Sequence, residues 1–414
     1  MAVIKGLKCR ECGEKYEESL IYICEECFGP LEIDHDYEKI TEVVKSDSEA
    51  GSVSRGSNYF NLFNDSPGEA FPSNGFHGME IGKTPLIRAG RLGKRLGISE
   101  LYLKDEGSSY PSLSFKDRVV ASAIEKAMEL SCETIACAST GNLANSLALH
   151  ASSRSIRCVI FVPERTNYRK IAPAISAGAE IFEVDGNYDA ANRLCSELQE
   201  SLGWLVVNGN LKPYYQEGAK TLAYEIMEEM AENPPRTIVC PMGGGGLISM
   251  MWNGIKDMQR IGLLPAAAPA VVGAQAKGCS PIIDALNAGS EYIKPVKSST
   301  AIASIAIGDP PDAVYAIRAI RESGGAGESA ADEEAISMMK ILAEEEGIIT
   351  GGAGGAALSA AFKVCKLSEF NDNGPVVVVL TDRGEGNEIP DCGDKSPKIR
   401  KVKANLTSFL EQWK

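Results

Sequence analysis

The sequence predicts an α/β protein with two parallel-sheet modules side by side, and three observations carry that expectation. From about residue 100, short β-rich runs alternate strictly with stretches of helical apolar spacing. The alternation falls into two series. Four consecutive glycines stand at a strand-to-helix junction of the second.

In the first series, residues 133–140, 158–163, 179–185 and 204–209 read as buried strands, with helices at 142–153, 167–178 and 187–203 between them. The second runs helix 217–230, strand 237–242, helix 247–259, strand 270–276, further helices, and the apolar strand 375–382. Two such modules leave a cleft where strand ends and helix N-termini meet. The expected division is a ribbon-like module at 1–35, a linker or arm at 36–80, a large α/β domain from 81–125 and 217–395, a small one at 126–216, and a C-terminal tail at 396–414. Residues 45–80 are rich in Ser, Gly, Asn and Pro, and His77 among them reads as a surface or packing residue.

At 414 residues and 44% hydrophobic content, the chain can fill several cores. A formal charge of -14 repels a phosphate backbone, so nucleic acid is not an expected partner. No uninterrupted apolar run is long enough for a membrane span, and the first residues lack a secretory pattern, so the expected location is cytoplasmic. Twelve cysteines in such a chain read as thiols and metal ligands. Cys9, Cys12, Cys24 and Cys27 form two Cys-x-x-Cys pairs, each with a glycine soon after, which resembles a zinc ribbon. Two facing knuckles make a four-thiolate site that closes a structural zinc and leaves no open position for chemistry. The other reading is a ribbon that folds on its small apolar core.

Four segments carry candidate chemistry. Ser114-Phe115-Lys116-Asp117-Arg118 opens a helix after a Pro-bearing loop. A partly buried ammonium at a helix N-terminus is disfavoured, and a neutral lysine amine is the nucleophile that forms Schiff bases with carbonyl groups; a lysine there can also be an ordinary surface residue. At 137–146, a strand ends in Ser139, Thr140 and Gly141 and turns into a helix at Asn142. Free amides there suit a carboxylate and Asn142 suits a phenolic oxygen, while a plain capped turn explains the same residues. Gly243, Gly244, Gly245 and Gly246 follow a strand and precede an amphipathic helix, an arrangement that wraps a phosphate in N–H groups. The segment lacks the P-loop lysine and the dinucleotide fingerprint, so a small phosphorylated cofactor fits it best; a flexible loop is the alternative. Thr381, at the end of the last apolar strand, offers a hydroxyl to a ring nitrogen or caps the strand, with Asp382 beside it.

The order of these pieces resembles the fold type II pyridoxal 5'-phosphate (PLP) enzymes, and threonine synthases above all. The resemblance runs from about residue 80 to 385 and includes Gly82-Lys-Thr-Pro-Leu86, Lys104-Asp-Glu-Gly107, Val184-Asp-Gly-Asn187, Glu217-Gly218, Ile307-Gly-Asp-Pro310 and Glu346-Gly347. It implies PLP carried on Lys116, with Asn142 at its 3'-oxygen, Gly243 to Gly246 on its phosphate, and Thr381 at its ring nitrogen. It further implies a substrate carboxylate at Ser139, Thr140 and Gly141, a small amino-acid substrate and a homodimer. The implied reaction is a lyase-type conversion of O-phospho-L-homoserine and water to L-threonine and phosphate. Departures from the family pattern point to an alternative, a β-replacement or elimination enzyme resembling cysteate synthases or serine/threonine dehydratases. Asn208-Gly209 and Tyr215 stand where the family has groups that grip the substrate's phosphate, leaving Lys212, Lys104 or Arg169 to substitute.

Overall fold

The computed structural model describes residues 3–49, 81–265, 267–367, 370, 374–384 and 399–413. The expectations for 50–80, His77 included, and for 385–398 lie outside them.

Strands β1 (Ile4–Cys9), β2 (Lys15–Tyr16) and β3 (Leu31–His35) form an antiparallel sheet in the order β2-β1-β3. β4 (Leu86–Arg88) and β5 (Leu101–Asp105) begin a large sheet. β6 (Thr134–Ala138), β7 (Arg157–Pro163), β8 (Glu180–Val184) and β9 (Leu205–Val206) build a smaller one. The chain returns to the large sheet with β10 (Thr237–Pro241), β11 (Ala270–Ala276), β12 (Gly327–Ala330) and β13 (Val376–Leu380), then to the small one with β14 (Ile399–Val402). The orders are β12-β11-β10-β13-β5-β4 and β14-β8-β7-β6-β9, parallel throughout except for edge strand β4. β13 reads Val-Val-Val-Val-Leu with every residue buried, as a strand covered on both faces demands.

The helices that matter for the site are α1 (Tyr37–Glu49), α2 (Lys116–Glu129), α3 (Asn142–Ser152), α4 (Lys212–Glu229), α5 (Gly246–Arg260) and α6 (Leu406–Trp413). Three differences from the expected division follow from their packing. The arm begins with a helix: Ile40 and Val44 of α1, one turn apart, are buried against the core beside the large sheet. The boundary at 125 cuts α2, whose Val120, Ala123, Ile124 and Ala127 pack with Ile135 and Ile160 of the small sheet; Leu7 and Leu31 of the N-terminal sheet join that same core. The ribbon-like module and the small domain thus share one apolar interior. Finally, 396–414 is no tail over its described length. β14 pairs with β8 (Arg400 opposite Phe182), and Phe409 of α6 is fully buried among Phe161, Phe182, Trp204 and Trp413. Aromatic rings bury large areas, and a short helix with little propensity of its own is held by such packing.

Helix α4 joins the two halves. Its Tyr214 packs in the small domain's core, while Leu222, Ala223, Ile226 and Met227 pack beside the large sheet.

Candidate active site

β10 and β13 run parallel and adjacent, with Ile238 opposite Val377, so their C-terminal ends open on one edge. The glycines lie just past β10 and Thr381 just past β13. Gly245 has φ +89°, and a Cβ there would sit 2.8 Å from the Asp312 carbonyl oxygen, so the loop requires glycine on conformational and steric grounds. Cβ atoms on Gly243 and Gly244 would crowd Ile307 and Pro311 at 3.2 and 3.3 Å. Among the described residues, the N–H groups of Gly243, Gly244, Gly245 and Gly246 meet no protein acceptor, and α5 starts at Gly246. Four unmatched amides at the positive end of a helix fit a phosphate dianion.

Lys116 is the first residue of α2. The preceding Phe115 N–H donates to the Thr381 carbonyl at 3.0 Å, and Ser114 bridges Asp382. Backbone contacts thereby tie the predicted lysine to the predicted hydroxyl. The Lys116 amine donates to the Tyr215 phenolic oxygen at 2.8 Å and stands 4.6 Å from the centre of the Phe115 ring. The neighbouring Asp382 carboxylate accepts from the Gly384 N–H at 2.8 Å, and the Thr381 hydroxyl is 3.5 Å from its other oxygen.

Ser139, Thr140, Gly141 and Asn142 connect β6 to α3. Ser139 N–H donates to the Phe161 carbonyl and Gly141 N–H to the Ser139 hydroxyl at 3.4 Å, whereas the Thr140 and Asn142 amides have no protein acceptor among the described residues. This turn reaches Lys116 through two links. Ser146 of α3 donates to the buried Asp117 carboxylate at 2.7 Å, and the Lys116 charge acts on Cys137 of β6, whose thiol burial pushes up to about 12. The start of α2 is thus tied to the end of β13 directly and to α3, beyond the β6 turn, through Asp117.

The clamp behind Lys116 escaped the sequence reading. Arg118 is fully buried, and its guanidinium donates to Glu106 (2.6 and 2.9 Å), Glu225 (2.6 and 2.7 Å), Thr84 (3.0 Å) and Thr221 (3.1 Å). A buried guanidinium is tolerated when each donor finds a partner, and here the planar fork is met on both sides. Lys104 joins the same network, donating to Thr84 O at 2.7 Å and pairing with Glu225 and Glu229 at 3.0 and 2.5 Å with no exposed surface. It is therefore committed to structure and does not serve as a substitute grip for substrate. Lys212, in the first turn of α4, pairs with Asp312 at 3.0 Å beside the glycine loop, and Arg169 is exposed after β7. The motifs around Thr84, Lys104 and Glu106 carried the signal for this clamp: acids and a hydroxyl that a buried arginine needs.

Away from this edge, the sulfurs of Cys9, Cys12, Cys24 and Cys27 all lie within 4.8 Å of one another, with Cys9 to Cys27 at 3.4 Å and Cys12 to Cys24 at 3.6 Å.

Over residues 78–382 the chain matches the family described as pyridoxal-phosphate dependent enzyme. It is 35% identical to the threonine synthase of Methanocaldococcus jannaschii over 93% of each chain, and 35% identical to that of Methanosarcina acetivorans over 91% of this chain and 90% of the relative. Among solved structures, maize serine racemase superposes with a TM-score of 0.62 at 21% identity, covering 73% of this chain and 89% of that one. Threonine deaminase isoform 2 from Solanum lycopersicum gives 0.61 at 21% identity over 74% and 85%; both likenesses concern the fold. A glycine cradle, a helix-start lysine and this breadth of likeness agree: the chain belongs to the pyridoxal-phosphate dependent enzymes, within the threonine synthase family.

Proposed function

We propose that this chain is a threonine synthase, converting O-phospho-L-homoserine and water to L-threonine and phosphate. The observation that carries the reading is the 35% identity over nearly the whole of two threonine synthases. The meeting of Lys116, the glycine loop and Thr381 on one sheet edge supports it.

In this reading, Lys116 holds the cofactor covalently, Gly243 to Gly246 hold its phosphate, Asn142 meets its 3'-oxygen and Thr381 its ring nitrogen. The free amides near Thr140 and Asn142 take the substrate's carboxylate, with Ser139 and Gly141 shaping the turn. Bound PLP supplies an electron sink for carbanion chemistry. The chain's own work is to orient the substrate and move protons: the Lys116 amine would take protons from Cα and Cβ and deliver protons to Cγ, where the phosphate leaves, and back to Cα, while water adds at Cβ. Arg118 keeps the start of α2 from shifting while this happens. Lys212, paired with Asp312 beside the glycine loop, is the cation proposed to meet the leaving phosphate.

The four clustered cysteines hold one structural zinc in this reading. A tetrahedral site with zinc–sulfur distances of about 2.3 Å spaces its thiolates roughly 3.8 Å apart, close to the separations here. The proposed domains are a large one around the sheet of β4, β5 and β10 to β13 and a small one around the sheet of β6 to β9 and β14, with α2 and α4 at the junction; a cytoplasmic homodimer completes the proposal. No helix among the described residues is long and apolar enough to cross a membrane.

The test is product analysis. O-Phosphohomoserine should release phosphate and threonine in equal amounts. Release of a 2-oxo acid and ammonia from serine or threonine at a higher kcat/KM would favour the dehydratase-like alternative instead.

A further inference from the structure

The contact between Lys116 and Tyr215 joins residues 99 positions apart, and the phenol is held there from three sides. Tyr215 lies in the first turn of α4, its N–H donating to the Leu211 carbonyl at 2.9 Å. Its ring packs with Leu247 of α5 against Val119 of α2, Ala219 of α4 and Met250 of α5. Lys212 and Gln216, its neighbours on the same turn, both reach the Asp312 carboxylate, at 3.0 and 3.4 Å, and Asp312 N–H donates to the Gly244 carbonyl. The hydroxyl is thus fixed relative to both the amine and the glycine loop.

A phenol is suited to a partner whose charge alternates. Its oxygen accepts a hydrogen bond from an ammonium, and its O–H donates one to a neutral amine, so both protonation states of a lysine find a partner in one place. An arginine at this position has only donors and would leave the ammonium state facing a like charge.

We infer that Tyr215 is a further catalytic residue: it holds the free Lys116 amine in reach of the substrate in both protonation states, so that successive proton transfers use one geometry. The inference rests on Lys116 being the cofactor's carrier. Each transfer balances within the pair. The amine takes one proton from the substrate carbon and becomes ammonium, which donates to the phenolic oxygen; when the proton returns to carbon, the phenol's O–H turns back to the amine lone pair. No net proton is left on Tyr215.

The experiment uses the cofactor-loaded protein and the phosphonate isostere of O-phospho-L-homoserine, whose phosphonate cannot leave. Exchange of its Cα proton in D2O is followed by NMR against pH, alongside the isostere's affinity, the visible cofactor band and the melting temperature. Tyr215→Phe should keep the band, the melting temperature and the affinity within about twofold, yet slow exchange about tenfold, the scale of one lost hydrogen bond near a charge. Tyr215→His, which both donates and accepts, should recover part of the rate, and Tyr215→Arg should not. Exchange in Tyr215→Phe within twofold of the parent overturns the inference, as does equal slowing in the Phe and His variants, which would assign the effect to packing. Failure of the underlying reading looks different: Lys116→Ala would then retain a band that borohydride attaches to another lysine.

Discussion

Arg118 is held by Glu225 through two parallel hydrogen bonds of 2.6 and 2.7 Å, two residues along the helix from Lys116. Burial by itself raises the Glu225 carboxyl, but the Arg118 charge and hydrogen bonds, with Lys104 and the Lys83 amide, outweigh it and lower it from 4.5 to about 2. A depressed carboxylate stabilises the fold fully above its unfolded value and loses that contribution as pH falls through its folded value. The stability owed to this pair should therefore be constant above about pH 5 and fade between about pH 4.5 and 2. Glu225→Gln should cost ~3 kcal/mol at neutral pH, the scale for a broken buried pair. Its urea midpoint should fall less steeply than the parent's as pH drops through that window; parallel curves would show that Glu225 carries no such linkage.

Lys116 should carry the cofactor. Borohydride treatment of the loaded protein should bleach the visible band and leave the label on the peptide containing Lys116. A label on another lysine would move the site.

Metal analysis of protein made with zinc present should find about one zinc per chain, bound by Cys9, Cys12, Cys24 and Cys27. Because the N-terminal sheet shares its core with α2 and the small sheet, Cys24→Ser should lower the melting temperature of the whole small domain as well as of the first 35 residues. The visible band should persist below that transition. A metal-free protein of unchanged stability would leave the ribbon standing on its apolar core.

Phe409→Ala removes the buried ring at the centre of the C-terminal aromatic cluster and should cost about 3–5 kcal/mol. Amide exchange should then quicken in β8 and β14 while β13 and β5 keep their protection. Uniform loss across both sheets would mean that the small domain does not unfold by itself.

Much of this was legible in the sequence because strands covered on both faces must be continuous apolar runs; Val376 to Leu380 is one. The run of glycines at 243–246 stood out at a strand-to-helix junction, and at Gly245 a positive φ and a carbonyl 2.8 Å from a would-be Cβ leave no other residue. Helix α1 was hidden by a polar sequence in which Ile40 and Val44 form a narrow buried stripe. β14 was hidden by its brevity and charge, Ile-Arg-Lys-Val, because its strand character comes from the edge of β8. The Arg118–Glu225 pair and the Tyr215 contact join positions about a hundred residues apart, and no local pattern records such a pairing.

Both parallel sheets are completed by strands that arrive late. β8 ends at Val184 and gains its neighbour β14 only at Ile399; β5 ends at Asp105 and waits for β13 at Val376. At ordinary translation rates, more than two hundred intervening residues take on the order of ten to fifty seconds to synthesise. Throughout that time the nascent chain carries two apolar strands with unpaired edges, the surfaces on which other chains stack. The interval before closure is when this protein is most exposed to aggregation, and when a ribosome-associated chaperone would have the most to shield.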